Sequence, residues 1–572
     1  LEHVDALTAL NRNVPLSAKL RAIHEQLRHQ LDFIDRIAVS TYDPLHGEIT
    51  RRYLAGRGMA FLSTEELIRR MGGALPRPAV RAEGAWIDGR WRPAEGGMQW
   101  GRRNPSRWDE SLGEVGEASD ALIESAVVGA ARNQPAWAAL GAEGRAAHLR
   151  LFAQALENRQ AALTQAMITE IGKPLRDAEA EVARAVELIH GAIELFGTPR
   201  PWPIHGKNVC SRRAPVGVVA AVTPFNHPVS IAVGKLAPAL ALGNAVVWKP
   251  SLAATMTTRL VVEALAEAEV PQGLVAVVFG DGRTAQRLAG QPEVTAVTVT
   301  ASIAAGRQMA MLCGDALKPL QAELGGNNAV VVMGEVDIAR VAREIALSAF
   351  SFAGQRCTAG RRILVERSSY ARLVDALAAA TEALPVGEPV EDSTVVGPLV
   401  SKEQQEAVAR AVAGARRAGA RVVCGGEVPK EFTHGCWYAP TIVTDAAPAS
   451  ALFREELFGP VAVVHPVTDI EEALELVNAV DHGLVATLYS GDEAVQRRFI
   501  AEVRAGVVKL NCPPAGVHAD APFGGWKASG LGPPEHGVWD EEFYTRAQAL
   551  YGFAPVPEEA QDLVGQTRSL PG

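Results

Sequence analysis

The sequence lacks a surplus of basic residues. Lysine and arginine number 56 against 65 aspartate and glutamate residues, which gives a formal net charge of −9. That balance leaves no basic field to bind a phosphate backbone, so we expect no nucleic acid partner. At 572 residues, of which 48% are hydrophobic, the chain is too long for one ordinary domain and too apolar to be disordered.

Cysteine is also scarce, and the spacing of the cysteines indicates neither a disulfide cross-link nor a metal site. The six cysteines form no Cys-x-x-Cys pair, and none stands at ligand spacing from a histidine. This pattern argues against a disulfide framework and against a bound metal. We therefore predict a reducing, cytoplasmic location and no metal.

Long apolar runs are absent too. The most apolar stretch, 228–248, is interrupted by Lys235, Pro238, Gly243 and Asn244. A membrane helix needs about 20 uninterrupted apolar residues, so we expect no membrane association. The residues after Leu1 do not form a charged and then apolar leader, so export is not predicted.

The chain instead has short apolar runs that alternate with helical patterns from about residue 119 onward. This rhythm is typical of βαβ units and predicts an α/β fold with a mainly parallel sheet. The predicted strands lie at 216–222, 245–248, 294–300, 329–333, 362–366, 421–424, 507–510 and 546–551. The predicted helices lie at 145–171, 174–196, 254–267, 337–352 and 402–418.

The first 80 residues follow a different pattern. A helical stretch at 18–30 leads into a predicted strand at 35–43 and a return at Gly47, which is a strand-and-hairpin signature. This segment loosely resembles the opening of a GAF sensory domain, but the match is too short to build a core of its own. A docked structural appendage is therefore favoured over a ligand-sensing module.

The segment 354–360 carries a cysteine between two packed elements. Cys357 follows a predicted helix and precedes the predicted strand at 362, which places it on a loop where reactive groups are often presented. Taken alone, Cys357 is better interpreted as a buried thiol that only fills space, as expected for Cys313, and other segments are needed to favour a reactive one.

Three further polar residues stand at the ends of predicted strands. Asn226 follows the strand 216–222, and Lys249 follows the strand 245–248. Glu323 stands shortly before two glycines, at the expected edge of a domain. Carboxyl ends of neighbouring parallel strands are where α/β sheets bind ligands. The sequence therefore predicts that these side chains share one site.

Together, in this order, the segments 323–328 and 354–360 with the motifs at 455–461 and 522–530 resemble the aldehyde dehydrogenase superfamily. The resemblance spans about 86–552. It implies a Rossmann-like dinucleotide-binding domain at 81–196 and 216–325 and an α/β catalytic domain at 326–539. It also implies a β oligomerisation arm at 197–215 and 540–554, preceded by the extension 1–80 and followed by a flexible tail at 555–572.

The resemblance also implies a mechanism. Cys357 matches the family nucleophile, and the Asn226 amide with the Cys357 backbone N–H matches the oxyanion hole. Glu323 matches the base that activates water to hydrolyse the thioester. Relatives that transfer the acyl group to coenzyme A lack this base, so Glu323 favours a free acid product.

For the cofactor, the resemblance implies NAD or NADP. It assigns six residues to the dinucleotide: Lys249, Ser251, Thr300, Ser302, Glu456 and Phe458. Without the resemblance, Lys249 is interpreted as a solvated lysine at a strand end and Phe458 as a core residue.

Several positions near the expected cofactor depart from the family pattern. Leu252 replaces a glutamate that binds the ribose diol in many NAD-preferring members, which leaves room for NADP. Ala301 adds a methyl group between Thr300 and Ser302, and Gln286 stands where a small residue is frequent. These departures keep open a catalytically weak or silent protein that acts as a sensor or interaction module.

The resemblance implies that the substrate is a small aldehyde, and it assigns the substrate pocket to His227, Gly234, Arg356 and Phe523. Gly234 either widens the pocket or serves a structural purpose. Arg356 either attracts an anionic aldehyde or pairs with a nearby carboxylate. The segment 528–545 is similar to 2-oxoglutarate semialdehyde dehydrogenases, which suggests a semialdehyde.

The resemblance also implies a homodimer or homotetramer. Acyl transfer to coenzyme A remains a third alternative for the reaction.

Overall fold

The structure, a computed structural model, describes residues 37–39, 60–62, 83–200, 202–206 and 208–552. The chain divides into two compact units, Leu1–Pro78 and Ala79–Gly572. In the first unit, β1 (Ile37–Val39) pairs in parallel with β2 (Ala60–Leu62). Strand β1 lies inside the predicted strand at 35–43. The predicted helix at 18–30, the return at Gly47 and the tail at 555–572 lie outside the described residues, so the GAF-like resemblance stays a prediction.

The strands of the second unit form two large sheets and two small ones. In chain order they are β3 (Glu83–Ile87), β4 (Arg90–Pro93), β5 (Gln99–Arg103), β6 (Ser111–Gly116), β7 (Ile204–Gly206), β8 (Val209–Pro215), β9 (Val218–Val222), β10 (Ala245–Lys249), β11 (Val275–Val278), β12 (Val294–Thr300), β13 (Leu320–Glu323), β14 (Asn328–Val332), β15 (Gly360–Glu366), β16 (Arg421–Cys424), β17 (Thr441–Thr444), β18 (Val461–Val467), β19 (Val485–Tyr489), β20 (Val507–Leu510), β21 (Gly530–Leu531) and β22 (Thr545–Tyr551).

The helices cover these sheets. In chain order they are α1 (Asp120–Ala139), α2 (Gly141–Asn158), α3 (Gln160–Ile171), α4 (Leu175–Phe196), α5 (Ser230–Ala241), α6 (Thr255–Glu267), α7 (Gly282–Ala289), α8 (Ile303–Asp315), α9 (Ile338–Phe350), α10 (Arg367–Glu382), α11 (Lys402–Arg417), α12 (Ala451–Arg454), α13 (Ile470–Asn478), α14 (Glu493–Glu502) and α15 (Asp540–Tyr544).

The first large sheet has eight strands in the order β21-β13-β12-β9-β10-β11-β3-β4. Strands β13 to β11 in this order are parallel, and antiparallel strands flank them on both sides. Every residue of β9 and β10 is buried, as expected for parallel strands covered by helices on both faces. Because β10 and β12 flank β9 on opposite sides, the chain changes direction there and leaves a crevice at the carboxyl ends.

The second large sheet has seven strands in the order β16-β17-β18-β15-β14-β19-β20. It is parallel except for β16, and it has its own hydrophobic core, which includes Val330, Ile363 and Leu488. A three-stranded antiparallel sheet, β22-β8-β7, joins the end of the described chain to the segment after α4. These sheets confirm the predicted fold class, whereas the predicted domain boundaries stay a prediction.

Most predicted elements agree with the structure, and two helices differ. The single helix predicted at 145–171 is wrong, because Arg159 leaves helical geometry (φ −102°, ψ 8°) between α2 and α3. No proline or glycine marks this break, and the apolar spacing continues through it. The helix predicted at 337–352 ends at Phe350, where a short 3-10 turn, Ser351–Gly354, takes over.

We find no helix among the described residues that is long and apolar enough to cross a membrane.

Burial along α2 generates a matched stability test. Leu149 is 1% exposed and Leu151, on the same helix, is 47% exposed. We expect Leu149→Ala to destabilise the protein by about 2–5 kcal/mol because it leaves a cavity in the core. Leu151→Ala removes the same atoms at the surface and is expected to change stability by about 0.5 kcal/mol or less. Urea unfolding of both variants measures the difference, and equal effects would contradict the described burial.

Candidate active site

The carboxyl edge of the first large sheet collects the polar residues that the sequence placed at strand ends. Lys249 ends β10, Thr300 ends β12 and Glu323 ends β13. Thr300 and Glu323 are paired in register across the sheet. Asn226 follows β9, which lies between β10 and β12. The parallel arrangement therefore brings these four residues to one edge, as the sequence predicted.

Cys357 reaches this edge from the second large sheet. Its loop begins after α9 with a strained turn, in which Phe352 and Ala353 both have a φ of 52°. Left-handed geometry at residues other than glycine costs about 1–3 kcal/mol each and persists only where surrounding contacts enforce it. Strand β15 starts shortly after the cysteine, at Gly360.

Contacts on both sides fix the Cys357 loop. The Asn328 amide donates to the carbonyls of Cys357 (2.6 Å) and Ala359 (2.8 Å). The side-chain carbonyl of the buried Gln355 accepts a bond from the backbone N–H of Val400 (2.9 Å). Gly326 lies so close to the Cys357 carbonyl that a Cβ there would collide with it. The two large sheets therefore meet at the cysteine, and only glycine fits at 326.

The surroundings of Cys357 disfavour its thiolate. Burial, followed by the carboxylates of Glu456 and Glu323, raises the pKa of Cys357 to about 12, and the Arg361 guanidinium opposes this rise. Loss of solvent and nearby negative charge both penalise an anion on sulfur. The thiol is therefore neutral at pH 7 in this state.

Arg361 is a buried residue of the site that the sequence reasoning missed. Its guanidinium donates to the carbonyls of Gly354 (2.9 Å) and Arg356 (3.0 Å), and it lies 3.7 Å from Glu456. Glu456 in turn accepts a bond from the backbone N–H of Gly326 (3.2 Å). Arg361 thus ties the Cys357 loop to Glu456. A detectable signal was the pair of arginines at the start of a predicted buried strand.

Phe458 lies in the same loop as Glu456. It has a φ of 50°, and its ring packs edge-on against Phe225 at a centroid distance of 5.9 Å. Arg361 also lies over this ring, at 5.6 Å. The loop that carries Glu456 and Phe458, two of the residues assigned to the dinucleotide, therefore contacts the segment before Asn226.

Glu323 is 3% exposed, and its carboxylate accepts a bond from the backbone N–H of Gly525 (3.2 Å). Burial and the nearby carboxylate of Glu535 raise the pKa of Glu323 well above its usual range, while Lys235 acts in the opposite direction. Lys235 is fully buried, forms an ion pair with Glu535 and donates to Thr298 (2.9 Å). The sequence reasoning missed this pair. The lysine inside an apolar helix was the available signal.

Lys173 and Glu181 hold the segment that carries Asn226. Lys173 is fully buried, forms an ion pair with Glu181 and donates to the Asn226 carbonyl (2.9 Å). Glu181 accepts bonds from the backbone N–H groups of Val229 (2.8 Å) and Ser230 (3.1 Å). Both residues were missed from the sequence, where Lys173 stands between a glycine and a proline. In the described part of the chain, the buried Asn226 Oδ1 has no hydrogen-bond partner.

Two of the residues assigned to the substrate pocket have contacts that favour the structural alternatives. Arg356 lies 2.7 Å from Asp177, so it pairs with a carboxylate. A Cβ at Gly234 would lie 3.3 Å from His536 and 3.5 Å from Leu188, so this glycine permits close packing. Phe523 stacks on His536 at 5.8 Å.

The cofactor side of the edge presents uncommitted polar groups. Lys249 is 7% exposed, and its ammonium has neither a hydrogen bond nor an ion pair with another described residue. Burial lowers the pKa of Lys249 to about 8, against the charge of Asp281. The buried Thr300 hydroxyl likewise has no partner among the described residues. An ammonium and a hydroxyl left open at strand ends fit a ligand rich in hydroxyl and phosphate groups.

The residues at and around the positions that depart from the family pattern have defined contacts in the structure. Ser251 caps a short 3-10 turn that begins at Leu252, and Ser302 caps α8. Leu252 is half-buried and packs against the hydrophobic core around the first large sheet. The Gln286 amide donates to Gln308 (2.9 Å) and so links α7 to α8.

Comparison with known proteins gives a consistent result. The model of the aldehyde dehydrogenase family matches residues 91–550. A betaine aldehyde dehydrogenase of Cereibacter sphaeroides is 34% identical over 78% of this chain and 92% of its own. An alpha-ketoglutaric semialdehyde dehydrogenase of Bacillus subtilis is 30% identical over 82% of this chain and 97% of its own.

A solved structure agrees with these sequence comparisons. A mutant of aldehyde dehydrogenase C of Pseudomonas syringae, in which alanine replaces one cysteine, was solved in complex with NAD+ and octanal. It has a TM-score of 0.79 and 30% identity, and the match covers 83% of this chain and 97% of its own.

The charge of Arg361 generates a test of cysteine reactivity. Arg361→Gln removes the cation that favours the Cys357 thiolate, so the pKa of Cys357 should rise and less thiolate should form at a given pH. We expect alkylation of Cys357 by iodoacetamide at pH 9 to slow by about tenfold, and Arg361→Lys to retain most of the rate. Peptide mass spectrometry measures both, with the exposed Cys512 as an internal reference. Equal alkylation of Cys357 in wild type and Arg361→Gln would contradict this role.

Proposed function

Because this chain belongs to the aldehyde dehydrogenase family, we propose that it oxidises a small aldehyde to the carboxylic acid with NAD or NADP. The observation that carries this proposal is the meeting of Cys357, Asn226 and Glu323 at one edge of a parallel sheet. Each of the three supplies a different chemical need of the reaction: a nucleophile, a neutral donor and a base.

The uncommitted groups at the strand ends are suited to hold the dinucleotide. Lys249, Ser251 and Thr300 would bind its adenosine ribose and phosphates together with Ser302, and Glu456 and Phe458 would position the nicotinamide half. The bound dinucleotide supplies the hydride acceptor for the oxidation. Leu252 offers no carboxylate to a ribose diol and does not repel a 2′-phosphate, so NADP is accepted along with NAD.

In the first step the Cys357 thiol loses its proton to water, and the sulfur attacks the aldehyde carbon as the thiolate, which forms a thiohemiacetal. Negative charge develops on the former carbonyl oxygen. The Asn226 amide and the Cys357 backbone N–H are the donors proposed to stabilise it, a contribution of about 3 kcal/mol each. Lys173 and Glu181 support this step because they hold the Asn226 segment from behind.

The thiohemiacetal on Cys357 would become a thioester by giving up a hydride to the dinucleotide. The second half of the reaction is hydrolysis of this thioester, for which Glu323 is the proposed base. A carboxylate whose pKa is raised by burial is a stronger base than an ordinary glutamate once it is ionised. Water adds to the acyl carbon, Glu323 takes the water proton, and the Cys357 sulfur leaves. The product is a free acid, and the semialdehyde class suggested by the segment 528–545 is one candidate substrate.

We also propose that the protein works as a homodimer or homotetramer. Strand β22 pairs with β8 on one side only, and β20 lies at an edge of the second large sheet. Unpaired strand edges that face outward are common pairing surfaces between subunits. Light scattering on the purified protein measures the number of subunits.

Activity assays test the function directly. We expect Cys357→Ala to lower the rate of cofactor reduction by at least about a thousandfold, because it removes the proposed nucleophile. Cys512→Ala, which changes an exposed thiol, is expected to retain activity. Absorbance of the reduced cofactor over a panel of aliphatic, aromatic and carboxylated aldehydes measures both.

The products separate the alternatives. A free acid product supports hydrolysis of the thioester. Acyl-coenzyme A with little free acid would instead indicate acyl transfer to coenzyme A. A folded protein that reduces neither NAD nor NADP with any aldehyde would point to a catalytically silent sensor or interaction protein.

Leu252 generates a test of cofactor choice. Leu252→Glu places a carboxylate beside the expected ribose, so we expect kcat/KM for NADP to fall at least about tenfold relative to that for NAD. Leu252→Gln adds similar bulk without charge and is the matched control. An unchanged NADP to NAD ratio in Leu252→Glu would show that Leu252 does not face the 2′ position.

A further inference from the structure

The ammonium group of Lys173 has its protons committed to three acceptors. Its Nζ donates to the Glu181 carboxylate, to the Asn226 carbonyl at 2.9 Å and to Nδ1 of His227 at 2.9 Å. An ammonium has three protons and no lone pair, so it can only donate. The lysine is fully buried, which makes each of these bonds costly to leave unmade.

This arrangement determines which ring nitrogen of His227 carries the proton. Nδ1 also lies 3.3 Å from a Glu181 oxygen, to which it would donate if it were protonated. A proton on Nδ1 would leave two donors, the ring N–H and the Lys173 ammonium, only 2.9 Å apart with no acceptor between them. The shorter contact therefore requires Nδ1 to accept from Lys173, and the proton of the neutral ring resides on Nε2.

The second nitrogen of the ring, Nε2, is not committed to another described residue. The His227 side chain is 27% exposed, and Nε2 has no hydrogen-bond partner among the described residues. The residue follows Asn226 directly, and the charge of Arg356, the neighbour of Cys357, acts on it. His227 thus presents a free N–H donor beside the reacting centre.

The charges around the ring balance. Lys173 pairs with Glu181, and Arg356 pairs with Asp177. Burial and the charge of Lys173 lower the pKa of His227, against the effect of Glu181. The imidazole is therefore neutral at pH 7, and the site offers a donor without a net positive charge.

We propose that Lys173 fixes His227 as the Nε2–H tautomer, and that His227 selects aldehydes with an uncharged acceptor oxygen, such as a hydroxyl or carbonyl, near the reacting carbon. This inference rests on the proposed function and narrows its substrate class. In it, His227 is a specificity residue that contacts the substrate, and Lys173 is a positioning residue that acts through His227.

The kinetic test compares matched substrates. We expect the wild type to show a kcat/KM for 2-hydroxypropanal about tenfold higher than for propanal, the effect of one hydrogen bond. In His227→Phe this ratio should fall to about one, whatever the absolute rates. In His227→Gln, whose amide can replace the Nε2–H donor, the ratio should largely persist. His190→Phe makes the same change at an exposed histidine of α4 and should leave the ratio as in wild type.

Two kinetic outcomes would overturn the inference. One is a ratio in His227→Phe equal to that of wild type. The other is a wild-type preference for succinic semialdehyde over 2-hydroxypropanal that disappears in His227→Phe, since His227 would then serve a charged substrate. Turnover of propanal in either case keeps the proposed function intact, so the two failures are distinguishable.

The tautomer has a readout that does not depend on turnover. In protein labelled with 15N-histidine, with His227 assigned by comparison with His227→Gln, we expect Nε2 to show the shift of a protonated nitrogen and Nδ1 that of an unprotonated one from pH 6 to 8. Lys173→Met should give a mixture of tautomers or a charged ring. A protonated Nδ1 in the wild type would overturn the inference even if the protein proves to have no activity.

Discussion

The approach of the Gly326 backbone to the carbonyl of Cys357 is the contact on which the site depends. It is the point where the edge of the first large sheet touches the loop that leaves the second, and no side chain fits between them. The side chain of Asn328, two residues further along the chain, donates to two carbonyls of this loop, those of Cys357 and Ala359. Cys357, the proposed nucleophile, is therefore located by backbone geometry, with Glu323 a few residues before Gly326 at the end of β13.

Buried cations fasten the remaining parts around this contact. Lys173 holds the Asn226 segment, Lys235 lies behind Glu323, and Arg361 bridges the Cys357 loop and Glu456. Each is paired with a carboxylate, because an unpaired charge in such a place would cost several kcal/mol. Such pairs contribute little net stability compared with apolar packing, but they specify one arrangement. Removing a single partner leaves the other charge buried and uncompensated.

The sequence allowed the fold class to be predicted, and it singled out the three residues proposed to react because each of them stands in a local pattern. Asn226 and Glu323 stand at strand ends, and Cys357 lies in a glycine-flanked loop. The buried cations could not be assigned in the same way, since Lys235 and Glu535 or Arg361 and Glu456 are far apart in the chain. The break at Arg159 also lacked a signal, because neither glycine nor proline marks it. For Arg356 and Gly234, contacts with Asp177, Leu188 and His536 favour the structural one of two alternatives that residue type alone left open.

The left-handed turn at Phe352 and Ala353 has a consequence for engineering this protein. Stabilising substitutions are easiest to find where the native backbone is strained, and Ala353→Gly would relieve the strain at that position. The same turn sets the direction in which the chain enters the cysteine loop, so relaxing it removes a constraint on the nucleophile. Selection for heat resistance alone would therefore favour substitutions here that raise thermal stability but leave Cys357 less well positioned. Selection schemes for this scaffold should score turnover and thermal survival together.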